Sequence, residues 1–142
     1  MAEHLSKYLF DYEYRCRCCD QYPPSFDRED QAFPYQVLFD CFDGIRESWG
    51  GPIHVLSGYR CPVHNAFVGG SVLSAHMFGL ALDLDCKDAS GVEHLAELIE
   101  ELYPDLRRGE YTKDGTFIHI DVAYFIYPKA TDNWKEGVRW YR

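Results

Sequence analysis

Residues 74–85 read SAHMFGLALDLD and largely decide how this chain folds. From residue 80 to residue 85, leucines alternate with an alanine and two aspartates, which is the period of a strand with one buried face. Residues 117–122, FIHIDV, alternate in the same way, with His119 and Asp121 on the more polar side. Both segments therefore predict strands that turn one face to a core and the other to a polar site.

The polar side chains of these strands predict a metal site. If the strands are antiparallel neighbours, opposed residues such as Asp83 and His119 have Cβ atoms about 4.5 to 5.5 Å apart, close enough for one ion to bridge them. His76 would point the wrong way on a straight strand, but Gly79 offers a bend that presents it from above. Two histidines and one carboxylate leave tetrahedral zinc an open fourth position, which hydrolysis requires. Asp121 is expected to orient a ligand imidazole.

Length and composition restrict the class of protein. With 142 residues, 46% of them hydrophobic and 26% charged, we expect one soluble domain over 1–142 that acts as a monomer. A net charge of −9 argues against nucleic acid and anionic lipid as partners. No segment reaches the ~18 to 20 apolar residues of a membrane span, and the N-terminus lacks the basic and apolar regions of a signal peptide. We therefore expect cytoplasmic synthesis.

The rest of the chain predicts an α+β fold, a small mainly antiparallel sheet packed on two helices. Residues 1–28 look irregular, and the stretch after residue 122 shows no clear period. Asp27 or Asp30 is the expected N-cap of the main packing helix, which Gly50 ends. The remaining predicted elements are a helix over 28–49, a strand over 52–56, a short helix over 61–67 and a helix over 92–103.

The cysteines allow three interpretations. Three of the six crowd into Cys16-Arg17-Cys18-Cys19, which is too tight for unstrained pairing among themselves. Cys16, Cys18 and Cys19 would bind a second, structural metal together with Cys61, or pair one by one with distant cysteines, or remain free thiols in a reducing cytosol.

Four blocks of sequence resemble a known family. They are SGYRCPVHN at 57–65, VGG at 68–70, the run from Ser74 to Asp83, and FIHIDV at 117–122. Together they are similar to the zinc D-alanyl-D-alanine carboxypeptidases, the VanY-like metallopeptidase superfamily that shares its fold and metal site with hedgehog-type domains. The segment Cys16-Arg17-Cys18-Cys19 also resembles small single-domain members from bacteria and phages. The resemblance covers about residues 8–125.

The resemblance implies a hedgehog/DD-peptidase-like fold and a set of site residues. His76, Asp83 and His119 correspond to the zinc ligands. Arg60 is expected beside the metal, where a fixed guanidinium stabilises a developing oxyanion by about 3 kcal/mol or more. Ser74 is expected to hold substrate or the metal loop. The implied substrate is a peptide bond of a peptidoglycan stem peptide or cross-bridge, cut by a D-Ala-D-Ala carboxypeptidase or an endopeptidase of the endolysin type.

Two further expectations concern the cleft and the general base. Tyr59, Phe78, Tyr111 and Tyr124 are candidate aromatics of the substrate groove. Many members of the superfamily carry an acid three residues before the last histidine ligand, but Thr116 stands there, so we assign the base to Asp114 near Gly115. Glu110 and Asp121 are alternatives.

The missing acid at 116 also favours a second function, a catalytically weak zinc-containing module that binds cell wall or a protein. A third interpretation is a cytosolic protein whose cysteines and histidines are purely structural. For the peptidase, action at the cell wall implies a phage-type lysis enzyme that leaves through a pore, or a bacterial enzyme with an unusual export route.

Overall fold

The computed structural model describes residues 3–126 and 134–142 and shows an α+β fold with a five-stranded mixed sheet. The strands are β1 (Val55–Ser57), β2 (Ala81–Asp85), β3 (Arg107–Tyr111), β4 (Phe117–Asp121) and β5 (Arg139–Tyr141). The α-helices are α1 (Asp11–Tyr14), α2 (Ala32–Trp49), α3 (Pro62–Phe67) and α4 (Ala89–Leu102). The strand order is β1-β2-β4-β3-β5, and within this sheet β5 alone runs parallel to its neighbour. The predicted fold class is confirmed.

One face of the sheet forms the hydrophobic core. Leu82 and Leu84 of β2 and Ile118 and Ile120 of β4 are fully buried and belong to the same apolar cluster as the inner faces of α2 and α4. Burying one such side chain contributes roughly 1.5–3 kcal/mol, so these two central strands are fixed in register by their alternation. Their other face is left for polar side chains.

The main packing helix begins later than the sequence predicts. Residues 29–31 form a 3-10 turn, and the N-cap of α2 is Gln31, whose side chain makes no capping hydrogen bond. The expected cap at Asp27 or Asp30 is therefore wrong. Pro34 lies in the first turn of α2, where its missing N–H costs nothing. Gly50 ends the helix at φ +78°, as predicted. No helix of the described residues is long and apolar enough to cross a membrane.

The N-terminal segment is more ordered than predicted. Tyr14, at the end of α1, is fully buried, and its hydroxyl donates to the carbonyl of Gly79 at 2.7 Å. Its own carbonyl accepts the N–H of Tyr59 at 2.7 Å. A Cβ at Gly58 would lie 2.6 Å from the Tyr14 oxygen, so only glycine permits this approach. Hydrogen bonds thus join the N-terminal segment to the loop at Tyr59 and to the turn at Gly79, both of which lie beside the polar site.

Candidate metal centre

Three potential metal ligands meet on the polar face of the sheet. Asp83 and His119 are register partners of the antiparallel pair β2–β4, as the sequence predicts. Oδ1 of Asp83 lies 3.2 Å from Nε2 of His76 and 3.1 Å from Nδ1 of His119. All three ligand atoms lie within 4.8 Å of one another. One carboxylate oxygen thus lies between two imidazole nitrogens.

A short turn positions His76. Residues 75–78 form a 3-10 helix whose N-cap, Ser74, accepts the N–H of His76 on its hydroxyl at 3.2 Å. Gly79 ends it with φ +72°, in the left-handed region that favours glycine, and so provides the predicted bend. Nδ1 of His76 donates to the carbonyl of Gly58 at 2.7 Å. Because that hydrogen bond occupies Nδ1, Nε2 is the nitrogen of His76 that is directed at Asp83.

The second imidazole is oriented by a buried carboxylate. Nε2 of His119 donates to Oδ2 of Asp121 at 2.6 Å, and Nη1 of Arg107 donates to the same oxygen at 2.7 Å. The other oxygen of Asp121 accepts the N–H of Ala123 at 3.0 Å. Nδ1 of His119 is therefore the nitrogen directed at the site, and Asp121 contacts the other ring nitrogen, where the predicted orienting role would place it.

The charges of the centre are strongly coupled. Burial would raise the pKa of Asp83, but His76 and His119 hold it well below its ordinary value. Burial would also raise the pKa of Asp121, and His119 together with Arg107 lowers it. Burial would lower the pKa of His119, yet its hydrogen bonds to Asp121 and Asp83 raise that pKa to about 9. The metal-free centre is thus an imidazolium held between two carboxylates.

The centre lies at the floor of a cleft of about 820 Å³. Arg60, Ser74 and Asp114 line this cleft, as predicted, and Nη2 of Arg60 donates to the Ser74 hydroxyl at 3.1 Å. Nε of Arg60 is buried and has no hydrogen-bond partner among the described residues. Tyr59 is a correction, because it is only 4% exposed and packs in the hydrophobic core instead of the groove.

One wall of the cleft comes from Trp140, which the sequence did not single out, and from Tyr111, which it names as a candidate groove aromatic. Trp140 of β5 lies over Gly109, with its ring centroid 5.2 Å from that of His119. Its Nε1 donates to the Tyr111 hydroxyl at 3.0 Å. The guanidinium of Arg107 lies 5.0 Å from the centroid of the same indole. Gly109 was the available signal, because a glycine inside a strand often marks a close approach.

The acid that many relatives carry before the last histidine has no replacement at the same place. Phe117 stacks on Tyr111 with ring centroids 4.3 Å apart. Glu110 contacts Arg108 at 3.2 Å and lines a different surface, beside α4. Asp121 already bridges His119 and Arg107. Of the three carboxylates considered as base, Asp114 is the exposed one that lines the cleft.

These features form a candidate metal centre at the floor of an open cleft. The family model described as Peptidase M15 matches residues 9–121, so the chain belongs to the M15 peptidases, which are zinc-dependent. No curated protein matches the chain closely enough to add a more specific relative.

Proposed function

We propose that this protein is a zinc peptidase that hydrolyses peptide bonds of peptidoglycan stem peptides or cross-bridges. The observation that carries the proposal is the convergence of His76, Asp83 and His119 at the floor of an open cleft. Membership in the M15 family supports the same chemistry. The proposed site of action is the cell wall, reached after cytoplasmic synthesis through a lysis pore or an export route.

The three side chains fit zinc. Two nitrogens and one carboxylate oxygen are a preferred donor set for this ion. The other nitrogen of each imidazole already donates a hydrogen bond to an oxygen atom. Three protein ligands leave a position for substrate, whereas structural zinc sites use four. A zinc ion held there would supply a Lewis acid for amide hydrolysis.

The neighbouring side chains have separate tasks in this proposal. The guanidinium of Arg60, fixed by Ser74, is a preorganised donor for the oxygen on which negative charge develops during hydrolysis. The carboxylate of Asp114 accepts the proton that the attacking water loses and passes it to the leaving amine. Trp140 and Tyr111 form an apolar wall along which the peptide lies.

The cleft also suits an anionic peptide. Arg60, Arg107, Arg139 and Arg142 line it, although the whole chain carries a net charge of −9. Part of this positive charge is already paired, since Arg107 contacts Asp121 and Arg139 contacts Glu100. Asp83 and Asp114 also line the cleft, and a zinc ion bound there would supply the positive potential that favours the free carboxylates of a stem peptide.

The test is a digest of purified peptidoglycan and of a synthetic stem peptide ending in D-Ala-D-Ala, analysed by mass spectrometry. The zinc-loaded wild type should release products, and His119→Ala should release none while remaining folded. Loss of one terminal residue identifies a carboxypeptidase, and opening of cross-linked dimers identifies an endopeptidase. Binding to peptidoglycan without any cleavage would instead favour the catalytically weak zinc-containing module, the alternative that the missing acid at 116 suggests.

A further inference from the structure

A second cluster of metal-binding side chains lies outside the cleft. The thiols of Cys16, Cys18, Cys19 and Cys61 have sulfur atoms that all lie within 4.8 Å of one another. Cys16 is buried and Cys61 half-buried, whereas Cys18 and Cys19 are exposed. The segment 16–19 thus meets Cys61, the N-cap residue of α3.

The sulfur distances suit a shared ion better than a disulfide. Sγ of Cys18 lies 3.6 Å from that of Cys16 and 3.4 Å from that of Cys61. A disulfide requires about 2.05 Å, and a sulfur can join only one partner. Four thiolates at the zinc–sulfur distance of about 2.3 Å would stand about 3.8 Å apart at the corners of a tetrahedron. All four cysteines are free thiols in the structure.

Backbone donors are arranged around this cluster. The N–H of Cys61 donates to Sγ of Cys16 at 3.4 Å, and the N–H of His64 donates to Sγ of Cys61 at 3.4 Å. Such donors stabilise sulfur as the thiolate, which is the form that binds metal.

We propose that Cys16, Cys18, Cys19 and Cys61 bind one structural zinc ion. With four protein ligands this site has no open position, so it serves folding and not hydrolysis. The proposal of this second site does not depend on the proposed peptidase activity.

The location of this zinc gives it an effect on the cleft. Cys61 directly follows Arg60, and Cys16 lies two residues after Tyr14, whose backbone packs on Gly58. The carbonyl of Gly58 is the acceptor that orients His76. The ion therefore joins the N-terminal segment to the loop that positions both the guanidinium and one imidazole of the centre.

The test counts zinc by elemental analysis in protein purified under reducing conditions. Wild type should hold about two zinc ions per chain, and His119→Ala should retain about one. The double variant Cys18→Ser/Cys19→Ser, which changes only exposed thiols, should also lose one ion and unfold at a lower temperature. Cys41→Ala, which removes a buried thiol outside the cluster, is the matched control and should keep both ions.

A spectroscopic measurement makes the ligand assignment independent of stability. Cobalt-loaded His119→Ala should show a thiolate-to-cobalt charge-transfer band in the near ultraviolet, and adding Cys18→Ser/Cys19→Ser should remove it. The proposal is overturned if His119→Ala retains no zinc, if the mass of the protein under non-reducing conditions reveals a disulfide within the cluster, or if the bound metal is iron. Because the count is made in the His119→Ala background, failure of the peptidase proposal leaves this result unaffected.

Discussion

Nε2 of His119 donates to Oδ2 of Asp121 at 2.6 Å, and the same oxygen neutralises the buried guanidinium of Arg107. Asp121→Asn removes the charge that fixes the orientation and basicity of His119. We expect zinc affinity at the centre to fall about 10- to 100-fold, as measured by competition with a chelator.

The same substitution leaves Arg107 buried without its carboxylate partner, so we also expect a lower midpoint of thermal unfolding. The control is Asp105→Asn, which neutralises an exposed aspartate and should change neither quantity. An Asp121→Asn protein that binds zinc as tightly as wild type would remove Asp121 from the orienting role.

The contact between Gly109 and Trp140 predicts a specific steric effect. A Cβ at residue 109 would lie 2.4 Å from Nε1 of the indole, so Gly109→Ala must displace Trp140. We expect a loss of about 1–3 kcal/mol in the free energy of unfolding and a shift in tryptophan fluorescence. Gly51→Ala is the matched control, because nothing lies within 4 Å of its added Cβ. Equal stability of the two variants would show that β5 does not hold the indole in the cleft wall.

Zinc binding to the centre should displace a proton. His119 has a pKa of about 9 in the metal-free protein, raised from 6.5, so at pH 7 it carries a proton that the ion must replace. Asp83, with its lowered pKa, is already ionised. Calorimetry at pH 7 in buffers of different ionisation enthalpy should report release of about one proton per zinc.

Because zinc binding releases a proton from His119, the zinc affinity of the centre depends on pH. Below a pH of about 9 the zinc affinity should rise with pH, and above it the proton release should vanish, because His119 is then neutral. The measurement is made in the Cys18→Ser/Cys19→Ser variant, so that zinc binding by the cysteine cluster does not contribute to the proton release. Zinc uptake without proton release at pH 7 would contradict the imidazolium form of His119.

The exposed carboxylate of the cleft allows a test of the general base. Asp114→Asn should lower kcat about 10²- to 10⁴-fold without reducing zinc content. Glu110→Gln, on the surface beside α4, should retain full activity. Unchanged kcat in Asp114→Asn would transfer the role to another proton acceptor.

The hydroxyl of Tyr14 supplies a test of how the N-terminal segment supports the site. Tyr14→Phe leaves the buried carbonyl of Gly79 without its donor, so we expect a loss of about 1–3 kcal/mol in the free energy of unfolding measured in urea. Tyr12→Phe, at an exposed tyrosine, should have no measurable effect. Equal denaturation midpoints would contradict this support.

The sequence predicted the central strands and their ligands because β2 and β4 each bury one apolar face, and alternation reports that directly. It missed β3 because Arg107 and Arg108 are both buried yet charged. Arg107 contacts Asp121, whereas Arg108 pairs with Glu100 and Glu110 near the helices. Asp121 and Glu100 belong to other elements of the fold, so no local period reveals the strand.

The short strand β5 was missed for a related reason. It has three residues, and it is held by a parallel pairing with β3 that depends on the position of Gly109. Tyr59 was misplaced because an aromatic residue inside a ligand-bearing block fits a groove and a core equally well by sequence. Its burial depends on the approach of Tyr14, which is a contact between distant segments.

The family match ends at residue 121, yet β5 carries Trp140 back into the wall of the cleft. The proposed zinc ligands and part of the cleft wall thus lie in separate stretches of the sequence. Under the proposed function, exchange of the segment that carries β5 between family members should alter substrate selectivity and leave the proposed zinc ligands in place.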